Sequence, residues 1–104
     1  MDQEQITRIA ETYSRSVAVN FPVKKIILYG SHAKGTATDE SDIDIAVVVN
    51  SVEGDLLAAK AKLFQLRRDI DDRIEPILVE DDGDPSGFLG SILQTGKIIF
   101  DSTQ

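Results

Sequence analysis

The stretch from Leu28 to Val49, LYGSHAKGTATDESDIDIAVVV, decides how this chain is arranged. An apolar strand ends at Tyr29, a glycine–serine turn follows at Gly30 and Ser31, and a polar loop from His32 to Ser41 leads into a second strand. In that second strand, Asp42 to Val49, alternation sends Ile43, Ile45, Val47 and Val49 one way and Asp42, Asp44, Ala46 and Val48 the other.

Two aspartates two residues apart on a strand project to the same side, with Cα atoms about 6.5–7 Å apart. They lead directly into an apolar strand, where uncompensated negative charge is costly. A divalent cation supplies the compensation, and Mg²⁺ prefers hard oxygen ligands, commonly one or two carboxylates completed by phosphate and water. Alone, the pair has a plainer reading as a loop end with Asp42 as turn former. The preceding turn adds to it. Gly30 lets a ligand approach the backbone closely. Ser31 offers a hydroxyl and an amide, and Ser31 to Lys34 suits a helical turn whose free N–H groups face a phosphate, closed by Gly35. Lys34 is a point charge for the same phosphates. His32 reads as a solvated loop residue, and Arg67 and Arg68 as a solvated helix face.

Outward from this stretch, Ile6, Ile9, Ala10, Tyr13 and Val17 mark one face of a helix from about Asp2 to Val19, stopped at Asn20-Phe21-Pro22. Val23 to Tyr29 is apolar on both faces in Ile26, Ile27 and Leu28, as a central strand is. Asn50 to Gly54 is a turn. Asp55 caps a helix predicted to run to about Asp71, with Leu56, Ala59, Leu63, Leu66 and Ile70 along one side and Leu57, Ala61 and Phe64 widening it. Ile74 to Val79 is a third strand that Pro76 places at an edge or pairs irregularly there. The acidic loop Glu80 to Asp84 reads as solvation. Pro85 to Gln94 is a short helix with Phe88, Leu89, Ile92 and Leu93 inward, closed near Gly96 as a C-cap, and Lys97 to Phe100 is a last strand. The order α-β-β-α-β-α-β is that of an α/β (α+β) domain with a mixed sheet.

The 104 residues fit one domain, and a 41% hydrophobic share suffices for a core. A net charge of -7 disfavours direct nucleic-acid or anionic-membrane binding, but leaves a single nucleotide possible through a bridging cation. With no cysteine, thiolate metal sites and disulfides are excluded. A P-loop would need Lys-Ser/Thr where Thr36-Ala37 stands, and an EF-hand would need an oxygen ligand at Ala46 and glycine at Val47. The polar N-terminus has no signal-peptide run and no stretch is long enough to span a membrane, so the expected location is cytoplasmic.

Gly30-Ser31, Ala33, Gly35 and Ser41-Asp42-Ile43-Asp44 together resemble the signature of the DNA polymerase β-like nucleotidyltransferase superfamily, nearest to its minimal members (MNT). The ending Gly96-Lys97-Ile98-Ile99-Phe100 is similar to theirs too, so the resemblance covers nearly the whole chain. It implies the DNA polymerase β-like nucleotidyltransferase fold, a two-ion Mg²⁺ site on Asp42 and Asp44, and a third carboxylate on the next strand. Glu75 fits that position, where many relatives have aspartate; Glu80 and Asp72 fit less well, and Glu75 also reads simply as an exposed strand residue. The third acid helps activate the attacking hydroxyl. By resemblance the donor is ATP, held by Gly30, Ser31 and Lys34. Larger relatives carry a helical acceptor domain that this sequence does not include. The resemblance therefore implies a separately encoded small helical HEPN-type partner, a toxin that an MNT antitoxin adenylylates on tyrosine. A binding antitoxin without catalysis, and a small-molecule adenylyltransferase with a helical subunit, are the alternatives.

Overall fold

The computed structural model describes residues 3–38, 40–52, 54–81 and 86–102. The predicted positions of Asp2, of Asp82 to Asp84 and of Pro85 lie outside them.

Helix α1 (Gln3–Asn20) buries Ile6, Ala10, Tyr13 and Val17, a spacing of three and four that keeps one face inward. Ser14 is buried beside them and satisfies itself by donating to the Ala10 carbonyl at 2.7 Å. Strand β1 (Lys25–Tyr29) follows, then a four-residue helix α2 (Ser31–Lys34) that the predicted element order omits. Strand β2 (Ile43–Val49), helix α3 (Leu56–Leu66), strand β3 (Ile74–Glu80), helix α4 (Phe88–Thr95) and strand β4 (Lys97–Asp101) complete the order. Asp55 caps α3 as expected, accepting from the Ala58 amide.

The four strands form one mixed sheet in the order β3-β2-β1-β4. β1 is central and antiparallel to both β2 and β4, while β2 and β3 run parallel. The parallel pair requires a crossover, which α3 provides. Pro76, which has no N–H to give a ladder, lies on the edge strand β3.

Alternation divides the core in two. Ile26, Leu28, Ile43, Ile45, Val47, Val49 and Ile74 pack on one face with the stripe of α1 and with Leu63 of α3. Ile27, Ala46 and Val48 pack on the other face against Leu89 and Ile92 of α4. Tyr13 ties the helices of the first layer together, its buried hydroxyl donating to the Leu63 carbonyl at 2.7 Å. Burial pushes that phenol well above its ordinary pKa, with the Arg67 charge pulling the other way.

Two expectations about the helices change. α3 is shorter than its apolar pattern, ending at Leu66, and it buries only Leu63 fully; Leu57 and Phe64 stay exposed. In α4 only Leu89 and Ile92 are buried, because a short helix on one side of a sheet has room for one narrow stripe, and Phe88 and Leu93 remain exposed. Gly96 closes α4 as its C-cap, as expected, its amide donating to the Ile92 carbonyl at 2.7 Å from an extended backbone with φ -89°. Its glycine is required by space: a Cβ there would lie 2.6 Å from the Ile92 carbonyl oxygen and 2.7 Å from Ile27 Cγ2. No described helix is long and apolar enough to cross a membrane.

Candidate active site

Strand register builds the site. Tyr29 of β1 stands opposite Asp44 of β2, and Asp44 stands beside Glu75 of β3. By alternation all three share the α4 face, and the next row along the strands is Ile27, Ala46 and Ile77. An acidic row thus crowns an apolar one, at the end of the sheet where β1 delivers Gly30. Asp42 precedes β2 and is exposed.

Gly30 and Asp44 come together closely. Gly30 has φ 75°, and a Cβ added to it would fall 2.3 Å from Asp44 Oδ2. Only glycine suits both the backbone angle and the neighbouring carboxylate. Ser31 to Lys34 then turn into α2, where the Lys34 amide donates to the Gly30 carbonyl at 3.1 Å and left-handed Gly35 ends the turn. The first amides of such a turn have no carbonyl of their own helix to bond. Ser31 is half-buried, while Lys34 projects into solvent.

His32, expected in solvent, is 6% exposed. Its Nε2 lies 3.4 Å from the Ser41 carbonyl oxygen, which fastens the turn to the residue before Asp42. The helical turn makes the difference, because α2 packs against both β1 and β2 and His32 is its buried residue. Burial raises the pKa of Asp44, the charges of Asp42 and Glu75 raise it further, and His32 acts the other way. Tyr29 is raised as well, by burial first and then by Asp44 and Glu75. Its ring meets the edge of Phe88, with centroids 5.6 Å apart.

Arg67, expected on a solvated helix face, instead curls around the β3 edge. Its Nη1 donates to the carbonyls of Asp72 at 2.6 Å and Ile74 at 2.8 Å, and stands 4.0 Å from Glu75 Oε1. Its guanidinium also lies 5.0 Å from the centre of the Phe64 ring. Arg68 is exposed as expected. Of the weaker candidates for the third acid, Glu80 is at the far end of β3 and Asp72 is in the turn before it.

The donor set suits a hard divalent cation. Burial first, and then the charges of Asp42 and Glu75, raise the Asp44 pKa, and its Oδ2 stands where a side chain on Gly30 would begin. Among the described residues, no three acid or imidazole side chains converge closely enough to cage an ion unaided. The Asp42–Asp44 pair therefore suits an ion that takes its remaining ligands from phosphate and water. Tyr29 and Arg67 are members of this site that the sequence reading missed. Alternation from Ile27 would have placed Tyr29 on the Asp44 face, but nothing local marks Arg67, whose partners lie beyond the end of its helix.

Three comparisons bear on this arrangement. A Methanocaldococcus jannaschii protein, provisionally named a protein adenylyltransferase, is 65% identical over 26 residues, 25% of this chain and 26% of that relative. The chain thus matches about a quarter of that relative's length. A provisionally named nucleotidyltransferase from Sulfolobus solfataricus has a similar structure, with TM-score 0.72 and 20% identity over 98% of this chain and 86% of the other. A mutant of the toxin–antitoxin complex MntA-HpeT also contains a similar chain, with TM-score 0.63 and 22% identity over all of this chain and 77% of the other. These two likenesses bear out the fold. The model of the family Polymerase beta, Nucleotidyltransferase matches residues 4–104. With nearly its whole length so matched, the chain belongs to the polymerase β nucleotidyltransferase family.

Proposed function

We propose that this nucleotidyltransferase moves AMP from ATP to a tyrosine hydroxyl of a small helical HEPN-type partner protein, acting as the antitoxin of that pair. The family supports the reaction class. The name of the M. jannaschii relative supports adenylylation of a protein, and the similarity to a chain of a toxin–antitoxin complex supports the biological setting. The observation that carries the reading is the closeness of Gly30 to the Asp44 carboxylate, which sets the glycine–serine turn directly against one of the paired acids.

In the proposed reaction the acceptor oxygen bonds to the α-phosphorus, the bond from that phosphorus to the pyrophosphate oxygen breaks, and the acceptor proton leaves. Asp42 and Asp44 would hold Mg²⁺, and Glu75, the third acid of the two-ion site that the resemblance implies, stands on the neighbouring strand. Bound there, the metal would supply charge neutralisation at the phosphates. The chain's residues position the rest. Gly30 and Ser31 hold the β- and γ-phosphates through backbone and hydroxyl, Lys34 swings in from solvent to meet them, and Glu75 accepts the acceptor proton. Catalysis then rests on orientation and charge stabilisation.

The test is incubation with α-labelled ATP, Mg²⁺ and a HEPN-type partner. Label on the partner's tyrosine is expected, and the double variant Asp42→Ala/Asp44→Ala should abolish it. Neutralisation of the partner by that variant without labelling would make the protein a binding antitoxin. Label on a small molecule would make it a small-molecule transferase.

A further inference from the structure

We propose that Arg67 is a positioning residue for the reaction: pinned on the turn that enters β3, its guanidinium is a fixed counter-charge that holds the Glu75 carboxylate in place at the edge of the site. This rests on the transfer reading above and adds to it a residue that acts through Glu75.

The need arises from topology. Asp44 lies inside the sheet with a strand on either side, whereas Glu75 is on β3, the outermost strand. By register Glu75 shares the face of Asp44, and like charges there push its carboxylate outward toward water. That mutual influence is present in the structure, since the charge of Glu75 bears on both Asp44 and Tyr29. A carboxylate so placed keeps one position when a cation stands on its outer side.

Arg67 stands there, its Nη1 4.0 Å from Glu75 Oε1. A pair with side chains 26% and 45% exposed ordinarily contributes little, partly because two long side chains must be immobilised to form it. Here one of them is immobilised already. Both protons of Nη1 go to backbone oxygens, those of Asp72 and Ile74. The guanidinium also rests over the Phe64 ring. Behind it, the Arg67 carbonyl accepts from the amides of Ile70 and Asp71, each at 3.0 Å, so the backbone that carries the side chain is held as well. The charge is in place before Glu75 meets it.

The same turn is tied to the paired aspartates. The Arg73 carbonyl accepts at 2.8 Å from the amide of Ile43, the residue between Asp42 and Asp44. Arg67 grips the carbonyls on both sides of Arg73, so its clamp also sets how Glu75 is registered against Asp44. Lysine is a poor substitute here, being a compact charge on a flexible stem. A guanidinium has its donors fixed in a rigid fork.

Three-bond couplings to the Glu75 β-protons, measured on ¹³C,¹⁵N-labelled protein without metal or nucleotide, read whether its χ1 is a single rotamer or an average. A single rotamer is expected in the wild type and an average in Arg67→Gln. Should Arg67→Gln not fold, Arg67→Lys, which keeps the charge without the fork, takes its place with the same expected direction. In the transfer assay Arg67→Gln should lower kcat tenfold or more and change KM for ATP less than threefold, because Glu75 lies across Asp44 from the phosphate turn. The proposal is overturned by an averaged Glu75 in the wild type, by an unaveraged one in the variant, or by a kcat loss matched by an equal rise in KM, the mark of a merely structural clamp. Absence of transfer by the wild type would instead sink the transfer reading, and the couplings, measured without ATP, report on Arg67 independently of it.

Discussion

Gly30 is held in place by two independent demands, a positive φ and a carboxylate where its side chain would be. Gly30→Ala should therefore do more than strain the backbone by about 1–2 kcal/mol. The new methyl displaces Asp44, and a misplacement of about 1 Å at a reacting centre can cost about a hundredfold in rate. Transfer of label from ATP measures that loss. Asp44 itself makes the opposite trade. Its folded-state pKa is raised, so between the ordinary carboxylate value and the raised one the folded protein holds a proton that the unfolded chain has released. Stability falls as pH climbs through that window, and at neutral pH the ionised group is a burden on the ligand-free fold. Asp44→Asn should raise the melting temperature of the ligand-free protein at pH 7 while ending transfer; a lower melting temperature would contradict the crowding of charge inferred here. Asp71 has the reverse sign. Hydrogen bonds from Arg73 hold its carboxyl below the ordinary range, so its contribution is present above that range and is lost as pH falls through the lowered value.

At the scale of elements, two contacts fix how the helices meet their neighbours. The Tyr13 hydroxyl joins α1 to α3 through the Leu63 carbonyl. Tyr13→Phe leaves that buried carbonyl without its donor and should cost about 1–3 kcal/mol, read as a lower urea midpoint with unchanged slope. Gly96 lets α4 close onto β1, with the helix and the Leu28 carbonyl both within contact distance of a would-be Cβ. Gly96→Ala should destabilise by about 1–3 kcal/mol through overpacking, with no penalty in φ. These details show what the sequence could reveal. Periodicity located every strand and long helix, because burial on one face leaves a pattern of two or of three-and-four in the chain. The Gly-Ser turn and the paired aspartates were legible because both lie in one hairpin, where separation along the chain maps directly onto register. Arg67 and His32 were not legible. Their surroundings are made by residues from other elements, and each looks like an ordinary solvated polar residue until the fold brings those elements round it. The same holds for Phe88 and Leu93, whose exposure depends on the room available above the sheet.

For the whole molecule, the charge of -7 and the acids gathered at one end of the sheet make ligand binding and stability one question. A ligand that binds only the folded state stabilises it by about 2.7 kcal/mol at a hundred times its dissociation constant. For about 100 residues that is a rise in melting temperature on the order of 10 °C or more. Mg²⁺ with ATP should produce such a rise in the wild-type protein and not in the Asp42→Asn/Asp44→Asn variant, as scanning calorimetry would show. The buried imidazole of His32 adds a consequence for order of arrival. It clasps the start of α2 to the carbonyl just before the first aspartate. Whatever settles into the turn also steadies the acids, and whatever steadies the acids shapes the turn. Triphosphate and ion should accordingly enter as a pair, each tightening the other's hold, and either one alone should bind poorly.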